Sequence, residues 1–369
     1  MIASRNLFLL GIILAAGLSP AASLFDDDGP PGEIRWRDAA ELAIEGRGWA
    51  DTKAPYDRLP AHAEGLVRPE VWNLSRHAAG LGIRFRTDAR SIAVRWTLSP
   101  GRLAMPHMPA TGVSGVDLYA RRDGRWHFLA VGQPTRSPLA ESTLIEGLDG
   151  RETEYRLNLP LYNGVSRVEI GLPVEASFRA APPVDPGAKP IVFYGTSITQ
   201  GGCASRPGMS YPAILNRRLG VPIVNLGFSG NGRIEPEVAR LLAELNPAAF
   251  VLDCLPNNTA AEAADRLPLF LDILRARHPA TPILLVETPG FPDAGFISQR
   301  ATRQSETNGH LKRIFDERTA AGDHALIYVP AGDLLGTDGE ATVDGVHPSD
   351  LGFLRIADSL ESHLRRVLK

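Results

Sequence analysis

The sequence predicts a two-domain protein, in which an antiparallel β-sandwich precedes an α/β domain with a doubly wound, five-stranded parallel sheet of the flavodoxin-like type. Three observations support this prediction. Residues 34–180 contain short segments in which apolar and polar residues alternate. Residues 191–369 contain continuous apolar runs separated by segments of helical periodicity. Residues 181–190, with four prolines and one glycine, lie between the two patterns and are predicted to be a linker.

The composition is that of a globular protein without a strong overall charge. The chain has 369 residues, enough for two domains that each bury a core. Hydrophobic residues make up 44% of the chain and charged residues 22%. The net charge of -3 gives no field that would attract nucleic acid or an anionic membrane. We therefore expect a small-molecule substrate as the partner, and leave the oligomeric state open.

The first residues have the layout of a secretory signal peptide. A positive charge at Arg5 precedes an apolar run at 7–18, and small residues follow that run. The run is shorter than the roughly 20 residues that span a bilayer, which favours export and removal over a membrane anchor. We predict a signal peptide at 1–23, a linker at 24–33, and a mature protein that is periplasmic or secreted.

In the N-terminal half, apolar and polar residues alternate with a period of two, which predicts strands that bury one face. Turn residues separate these strands, as at Asp123-Gly124 and Asn163-Gly164. Short strands with regular turns are typical of an antiparallel sandwich. The predicted strands lie at 81–87, 92–99, 114–122, 125–132, 153–160 and 166–172.

In the C-terminal half, continuous apolar runs predict strands that are buried on both faces of a parallel sheet. Ligands of such sheets bind outside the carboxyl ends of the strands. Pro268 is a candidate kink or break in one of the helices. The predicted strands lie at 191–195, 222–227, 248–254, 282–288 and 325–330. The predicted helices lie at 235–245, 260–278, 305–322 and 350–368.

Polar residues occur in four short segments that follow these strands or open the last helix. Because of the sheet topology, we expect the segments to meet at one edge. They contain Ser197 in GTSIT, Gly230 and Asn231 in NLGFSGNG, Asn257 and Asn258 in DCLPNN, and Asp344 and His347 in DGVHPSD.

These residue types match the needs of acyl transfer to a serine. A neutral hydroxyl is a weak nucleophile and needs a base within hydrogen-bond reach, a task that suits the imidazole of His347. Asp344, three residues earlier, can orient that imidazole from the same loop. Gly230 can bring a backbone N–H close to a developing oxyanion because it has no Cβ, and Asn257 can supply a side-chain NH₂.

The four segments, in this order, resemble the signature blocks of the GDSL/SGNH hydrolase superfamily. The resemblance covers residues 190–369, and GVDLYAR at 115–121 resembles the GxDLY β-sandwich domain that precedes some esterases of this superfamily. The serine, glycine, asparagine and histidine of the signature correspond to Ser197, Gly230, Asn257 and His347.

The resemblance implies the SGNH hydrolase fold, carboxylic ester hydrolysis and no cofactor or metal. It implies that Ser197 is the nucleophile, His347 the general base and then acid, and Asp344 the orienting carboxylate. It also implies an oxyanion hole formed by the N–H groups of Ser197 and Gly230 and the side chain of Asn257. By analogy, the β-sandwich and the predicted export favour an acetyl ester on a saccharide.

Two positions depart from the usual pattern of this superfamily. Thr196 stands where an aspartate usually precedes the serine. Leu255-Pro256-Asn257-Asn258 stands where Gly-x-Asn-Asp is usual. Both departures keep the catalytic groups, and we expect them to alter the shape and charge of the pocket.

Several alternatives stay open on the sequence alone. Ser197 is also compatible with a turn, and Asp338 and Glu340 are rival carboxylates to Asp344. An alternative function is carbohydrate binding without catalysis, through exposed tryptophans such as Trp36. A phosphodiester hydrolase is a third, although the dispersed histidines lack the spacing of a metal site.

Three further features lie close to these segments or could reach them. Arg206 is a candidate contact for a polar substrate. Cys203 and Cys254 are expected either to form a disulfide at the rim of the pocket or to stay separate as two buried thiols. The segment 103–112, which contains His107, is predicted to be a flexible surface loop.

Overall fold

The computed structural model describes residues 32–182 and 187–368. The predicted signal peptide at 1–23, most of the linker at 24–33 and the middle of the linker at 181–190 lie outside the described residues. Among the described helices, none is both long and apolar enough to cross a membrane.

The N-terminal half consists mainly of antiparallel strands. In chain order its elements are β1 (Ile34–Asp38), β2 (Ile44–Glu45), α1 (Pro69–Ser75), β3 (Gly82–Thr87), β4 (Ile92–Leu98), α2 (Ala110–Val113), β5 (Val116–Arg122), β6 (Arg125–Gly132), β7 (Leu139–Ile145), β8 (Thr153–Asn158), β9 (Val165–Pro173) and β10 (Arg179–Ala180). They form two sheets. One has the strand order β1-β9-β4-β7, and the other has the order β10-β3-β8-β5-β6 with β2 paired to β3.

Side chains from both sheets share one apolar core, which confirms the predicted sandwich. Val94 and Trp96 of β4 enter it from one sheet, and Leu118 of β5 and Leu157 of β8 enter it from the other. The indole N–H of the fully buried Trp96 donates to the carbonyl of Ser114 at 2.8 Å. Its polar edge is therefore satisfied inside the core.

The C-terminal half alternates strands and helices. Its elements are β11 (Ile191–Gly195), α3 (Ser197–Gln200), α4 (Tyr211–Leu219), β12 (Ile223–Gly227), α5 (Pro236–Ala243), β13 (Ala249–Asp253), α6 (Ala260–Arg277), β14 (Ile283–Val286), α7 (Ser298–Ala320), β15 (Leu326–Val329) and α8 (Asp350–Val367). The strands pair in parallel in the order β12-β11-β13-β14-β15. This order confirms the flavodoxin-like sheet.

Strand β11 shows why the apolar runs are continuous. Ile191 and Phe193 pack on one face of the sheet with residues of α4 and α8. Val192 and Tyr194 pack on the other face with residues of α5, α6 and α7. Burial of one such side chain contributes roughly 1.5–3 kcal/mol. Since both faces are covered by helices, apolar side chains are stabilising at every position.

Among the described elements, the strands β1, β2, β7 and β10 and the helices α1 to α4 are not among those that the sequence predicts. β1 and β7 form the edges of the four-stranded sheet, where several of their side chains are exposed and the apolar alternation is weak. α1 is a helix of 7 residues within the β half, and α2 in the same half has 4 residues. Pro268 does not split α6, whose residues Leu267, Phe270 and Leu271 stay buried around it. Their burial offsets the roughly 3 kcal/mol that a proline costs inside a helix.

Asp117, the aspartate of the GVDLY segment, joins the sandwich to the α/β half. Its Oδ2 accepts hydrogen bonds from the Gly208 N–H and from Nη1 of Arg206, each at 2.8 Å. Its Oδ1 accepts from Asn158 Nδ2 at 2.8 Å. A Cβ on Gly208 would lie 2.6 Å from the ring of Tyr119, so this close approach requires glycine. The motif therefore has a structural role at the junction.

Arg58 forms a second junction. Its guanidinium is fully buried and donates to the carbonyls of Leu74, His77, Asn225 and Gly227. Burial lowers the pKa of Arg58 to about 9. The bonds to β12 fix the carboxyl end of that strand, directly before the Gly230 loop.

From Ile34 onward the chain forms one compact unit. The predicted domain boundaries, at 34–180 and 191–369 with a linker at 181–190, stay predictions.

Candidate active site

Ser197 lies at the carboxyl end of β11, as the first residue of helix α3. The hydroxyl of the preceding Thr196 caps this helix by accepting a hydrogen bond from the Ile198 N–H at 3.2 Å. An aspartate would offer the same kind of acceptor. Thr196 thus keeps the helix cap, but it lacks the negative charge that an aspartate would place at the N-terminus of α3.

Ser197, His347 and Asp344 form a continuous series of hydrogen bonds. Ser197 Oγ lies 2.9 Å from His347 Nε2, and His347 Nδ1 lies 2.8 Å from Asp344 Oδ2. Asp344 Oδ1 also accepts from the backbone N–H groups of Val346 and His347, at 3.0 and 2.7 Å. The carboxylate therefore fixes both the loop and the ring, and it favours the tautomer whose Nε2 can accept the serine proton.

The environment of Asp344 keeps it ionised. Partial burial raises the pKa of Asp344, but hydrogen bonds from the backbone and the ring of His347 and from the Val346 N–H outweigh this effect and lower it to about 2. The other candidate, Asp338, forms an ion pair with Arg355, in which each carboxylate oxygen accepts a hydrogen bond at 2.7 Å. Of these two aspartates, Asp344 is the one bonded to the His347 ring.

Three hydrogen-bond donors lie in the loops predicted to hold an oxyanion. The Ser197 N–H occupies the first helical position, where no intrahelical acceptor exists. Gly230, in the loop after β12, has a positive φ of 68°, and among the described residues its N–H has no acceptor. Asn257 Oδ1 accepts from the Gly232 N–H at 3.2 Å, which leaves its NH₂ end available.

Asn258 explains the second departure from the family pattern. It is buried, and its Nδ2 donates to the carbonyls of Gly232 and Cys254, at 3.0 and 2.7 Å. A carboxylate at this position could not donate to these carbonyls. The amide therefore ties the loop after β12 to the turn that carries Asn257.

Gln200 is a positioning residue that the sequence analysis missed. Its Oε1 accepts from the Ser229 N–H at 2.9 Å, and its Nε2 donates to the Leu161 carbonyl at 3.0 Å. A Cβ on Gly227 would lie 2.1 Å from the Gln200 N atom, so α3 and β12 meet without room for a side chain there. The only sequence signal was the position of Gln200 three residues after Ser197.

The nucleophile helix is also fixed to the neighbouring strand. Thr199 Oγ1 and the Tyr211 hydroxyl each donate to Asp253 Oδ2 at 3.0 Å, at the carboxyl end of β13. Burial raises the pKa of Asp253 to about 7, although the hydrogen bonds from Tyr211 and Thr199 act in the opposite direction. This buried network fixes α3 to the carboxyl end of β13.

Arg206, the candidate contact for a polar substrate, is held by residues of the sandwich. Its guanidinium is bonded to Asp117 and to the Tyr119 hydroxyl, and it covers the Phe128 ring at 3.8 Å. Arg206 therefore bridges the two halves of the chain, and its contact with a polar substrate stays a prediction. A charged residue nine positions after the serine had a partner in a distant strand that the sequence does not reveal.

The disulfide considered for Cys203 and Cys254 is not formed, and the alternative of two buried thiols holds. Cys254 belongs to the apolar layer that contains α5 and α6. Cys203 lies beside Met108, whose Sδ accepts from its N–H at 3.4 Å. Burial, together with the charge of Asp344, raises the pKa of Cys203 to about 12. Its thiol stays protonated at neutral pH and does not compete with Ser197 as nucleophile.

The segment 103–112 is packed against the site. Met108 is buried, and Thr111 Oγ1 donates to the Ser205 carbonyl at 2.6 Å. His107 lies with its ring 5.7 Å from the His347 ring. The prediction of a flexible surface loop did not include this packing, because the sequence of a short segment does not reveal which distant residues it contacts.

The chain matches two sequence families. Residues 188–365 match the model of the GDSL-like lipase/acylhydrolase family. Residues 34–178 match the GxDLY domain found at the N-terminus of SGNH-hydrolase-type esterases. A solved structure described as a GDSL-like lipase from Bacteroides ovatus is 35% identical, with a TM-score of 0.86, and the match covers 91% of this chain and 98% of that one. The chain belongs to the GDSL-like lipase/acylhydrolase family.

Other members of this structural group are more distant and show the shared fold alone. A salicylyl-acyltransferase from a tetracycline biosynthetic pathway is 20% identical, with a TM-score of 0.73 and coverage of 90% of this chain and 97% of that one. An acetyl xylan esterase from the rumen bacterium Butyrivibrio proteoclasticus is 13% identical, with a TM-score of 0.56 and coverage of 90% and 99%. No curated protein was found to match this sequence. As a GDSL-like acylhydrolase, the protein is a carboxylic ester hydrolase.

Proposed function

We propose that this GDSL-like acylhydrolase is an exported serine esterase that removes a small acyl group, preferentially acetyl, from a saccharide. The observation that carries the proposal is the unbroken hydrogen-bond series from Ser197 through His347 to Asp344. Export rests on the signal-peptide pattern at 1–23 and places the enzyme in the periplasm or outside the cell.

In the proposed mechanism, Ser197 Oγ attacks the ester carbonyl while His347 Nε2 accepts its proton. Asp344 stabilises the imidazolium that forms. The negative charge on the carbonyl oxygen is stabilised by the N–H groups of Ser197 and Gly230 and the NH₂ of Asn257. His347 then protonates the leaving alcohol, and an acyl-enzyme remains. Water, deprotonated by His347, releases the acid and restores the serine.

A cavity of about 820 Å³ supports a substrate whose alcohol part is larger than a simple alkyl group. Thr259 lines it two residues after Asn257, and Val346 lines it directly before His347. Phe291 and Arg300 also contribute to its wall, where the Arg300 guanidinium lies 5.6 Å from the centre of the Phe291 ring and pairs with Asp293. Saccharides bind to such combinations through stacking and hydrogen bonds. The acetyl xylan esterase among the distant structures is consistent with this choice of substrate.

The test is a chain-length series combined with natural substrates. We expect p-nitrophenyl acetate to be hydrolysed with a higher kcat/KM than the butyrate and octanoate esters. We also expect acetate release from at least one of acetylated xylan, mannan and pectin. A preference for octanoate with no acetate release from any polysaccharide would contradict the saccharide proposal and leave the esterase itself standing.

Replacing Asp344 by asparagine is expected to lower kcat by roughly 10³- to 10⁴-fold. The asparagine Oδ1 can still accept the backbone N–H groups, so the loop is kept. However, its NH₂ favours the wrong tautomer of His347. Asp338→Asn is the matched control, since its side chain is half exposed, pairs with Arg355 and accepts from the Glu340 N–H. We expect that control to change kcat by less than about threefold. Equal losses in both variants would show that Asp344 is not the orienting carboxylate.

In the alternative of carbohydrate binding without catalysis, tryptophans of the sandwich would stack on the ligand. Trp36, one of the candidate stacking residues, is covered by the Arg95 guanidinium, 3.8 Å from its ring. This face of the Trp36 ring is therefore not available to stack on a sugar.

A further inference from the structure

A group of metal-binding side chains lies beside the proposed catalytic residues. His107, Cys203, Asp344 and His347 each offer one ligand atom, and these four atoms lie within 4.8 Å of one another. Two imidazoles, a thiol and a carboxylate form a donor set that suits Zn²⁺. The residues come from three separate segments of the chain, so no ligand spacing is visible in the sequence.

The distances are close to those of a tetrahedral zinc site. With metal–ligand bonds of about 2.0–2.3 Å, tetrahedral ligand atoms lie roughly 3.3–3.8 Å apart. The four atoms therefore need to approach by about 1 Å. His107 can supply this movement because its side chain is exposed, and within 32–182 and 187–368 its ring has no hydrogen-bond or ion-pair partner.

Cys203, in contrast, is held in place. It is buried and has a positive φ of 74°, a conformation that non-glycine residues rarely adopt. Its N–H donates to Met108 Sδ, next to His107 in the chain, so the segment that carries His107 is fixed to the segment that carries the thiol. Backbone strain of this kind is maintained at ligand clamps and active sites.

We propose that His107, Cys203 and His347, with Asp344 as the fourth ligand, form an inhibitory site for Zn²⁺ or a similar divalent ion. The Cys203 thiol loses its proton to solvent as the bond from Sγ to the metal forms. A metal on His347 Nε2 replaces the hydrogen bond to Ser197 Oγ, and a metal on Nδ1 replaces the hydrogen bond to Asp344, whose carboxylate then binds the metal. In both cases His347 can no longer act as the base. The inhibition rests on the proposed esterase mechanism, whereas the binding of the ion does not.

Binding is tested by calorimetric titration of ZnCl₂ into the Ser197→Ala protein, which keeps all four ligands. We expect one ion per chain. Adding His107→Ala or Cys203→Ser is expected to weaken binding by about tenfold or more. Cys254→Ser and His127→Ala, which change the other cysteine and an exposed histidine of β6, are the matched controls and should leave the affinity unchanged. If Cys203→Ser does not fold, the His107→Ala variant, which changes an exposed side chain, tests the proposal by itself.

Two further measurements make the result specific. Co²⁺ should give a thiolate-to-metal charge-transfer band in the wild type that is absent in Cys203→Ser. Zn²⁺ should inhibit ester hydrolysis reversibly, and the half-inhibitory concentration, normalised to each variant's own metal-free rate, should rise by about tenfold or more in His107→Ala. Absence of binding, or identical zinc responses in the wild type and both ligand variants, would overturn the proposal. Zinc binding at this site by a protein without any esterase activity would instead contradict the proposed function.

Discussion

Replacing Ser197 by alanine is expected to lower kcat for p-nitrophenyl acetate by roughly 10⁴- to 10⁶-fold. Oγ is the atom of Ser197 that attacks the ester, and no acyl-enzyme can form without it. The donors of the oxyanion hole stay in place, so a small residual rate above the uncatalysed reaction is expected. The measurement is steady-state kinetics on protein freed of any wild-type contamination.

Folding of the Ser197→Ala variant is expected to be intact, because the lost side-chain contact is a single hydrogen bond to His347. Its circular dichroism and thermal midpoint should therefore match those of the wild type. Ser362→Ala, a change on the exposed side of α8, is a control that should keep full activity. A Ser197→Ala protein that retains a tenth or more of the wild-type rate, roughly 1.4 kcal/mol of lost transition-state stabilisation, would contradict the covalent mechanism.

Replacing Asp117 by alanine is expected to lower the free energy of unfolding by about 3–5 kcal/mol. Asp117 is fully buried, and the change leaves the Arg206 guanidinium, the Gly208 N–H and the Asn158 amide without their shared acceptor. These groups lie at the junction of the sandwich and the α/β half. The loss should therefore destabilise both halves rather than one strand.

The measurement is chemical denaturation of Asp117→Ala beside Asp149→Ala. Asp149 also pairs with arginines, Arg122 and Arg151, but on the surface. Its removal is expected to cost less than about 1 kcal/mol, because exposed ion pairs contribute little. Equal stability losses in the two variants would show that the Asp117 cluster does not hold the junction.

The sequence alone was sufficient for the parts of the fold that depend on local pattern. The strands of the parallel sheet are buried on both faces, so their apolar runs are unambiguous, and β11 begins and ends where the sequence predicts. The residues of the four signature segments lie directly after such strands or before the last helix. Their convergence follows from the topology of a parallel sheet.

Other features depend on contacts between distant segments and could not be predicted. The partner of Arg206 is Asp117, 89 residues away. His107 and His347 meet although they come from different halves of the chain. Cys203 and Cys254 both lie near the site, but only the structure shows that they stay free thiols. In each case the sequence supplied the residue and not its neighbour.

The most direct test of the account is to identify the residue that carries the acyl group during turnover. The protein is mixed with p-nitrophenyl acetate, quenched in acid before the steady state, and analysed by intact mass and peptide mapping. We predict one acetyl group per chain, located on Ser197, in the wild type and none in Ser197→Ala. An acetyl group on another residue, or full turnover by a protein that never becomes acylated, would contradict the assignment of Ser197 as the nucleophile.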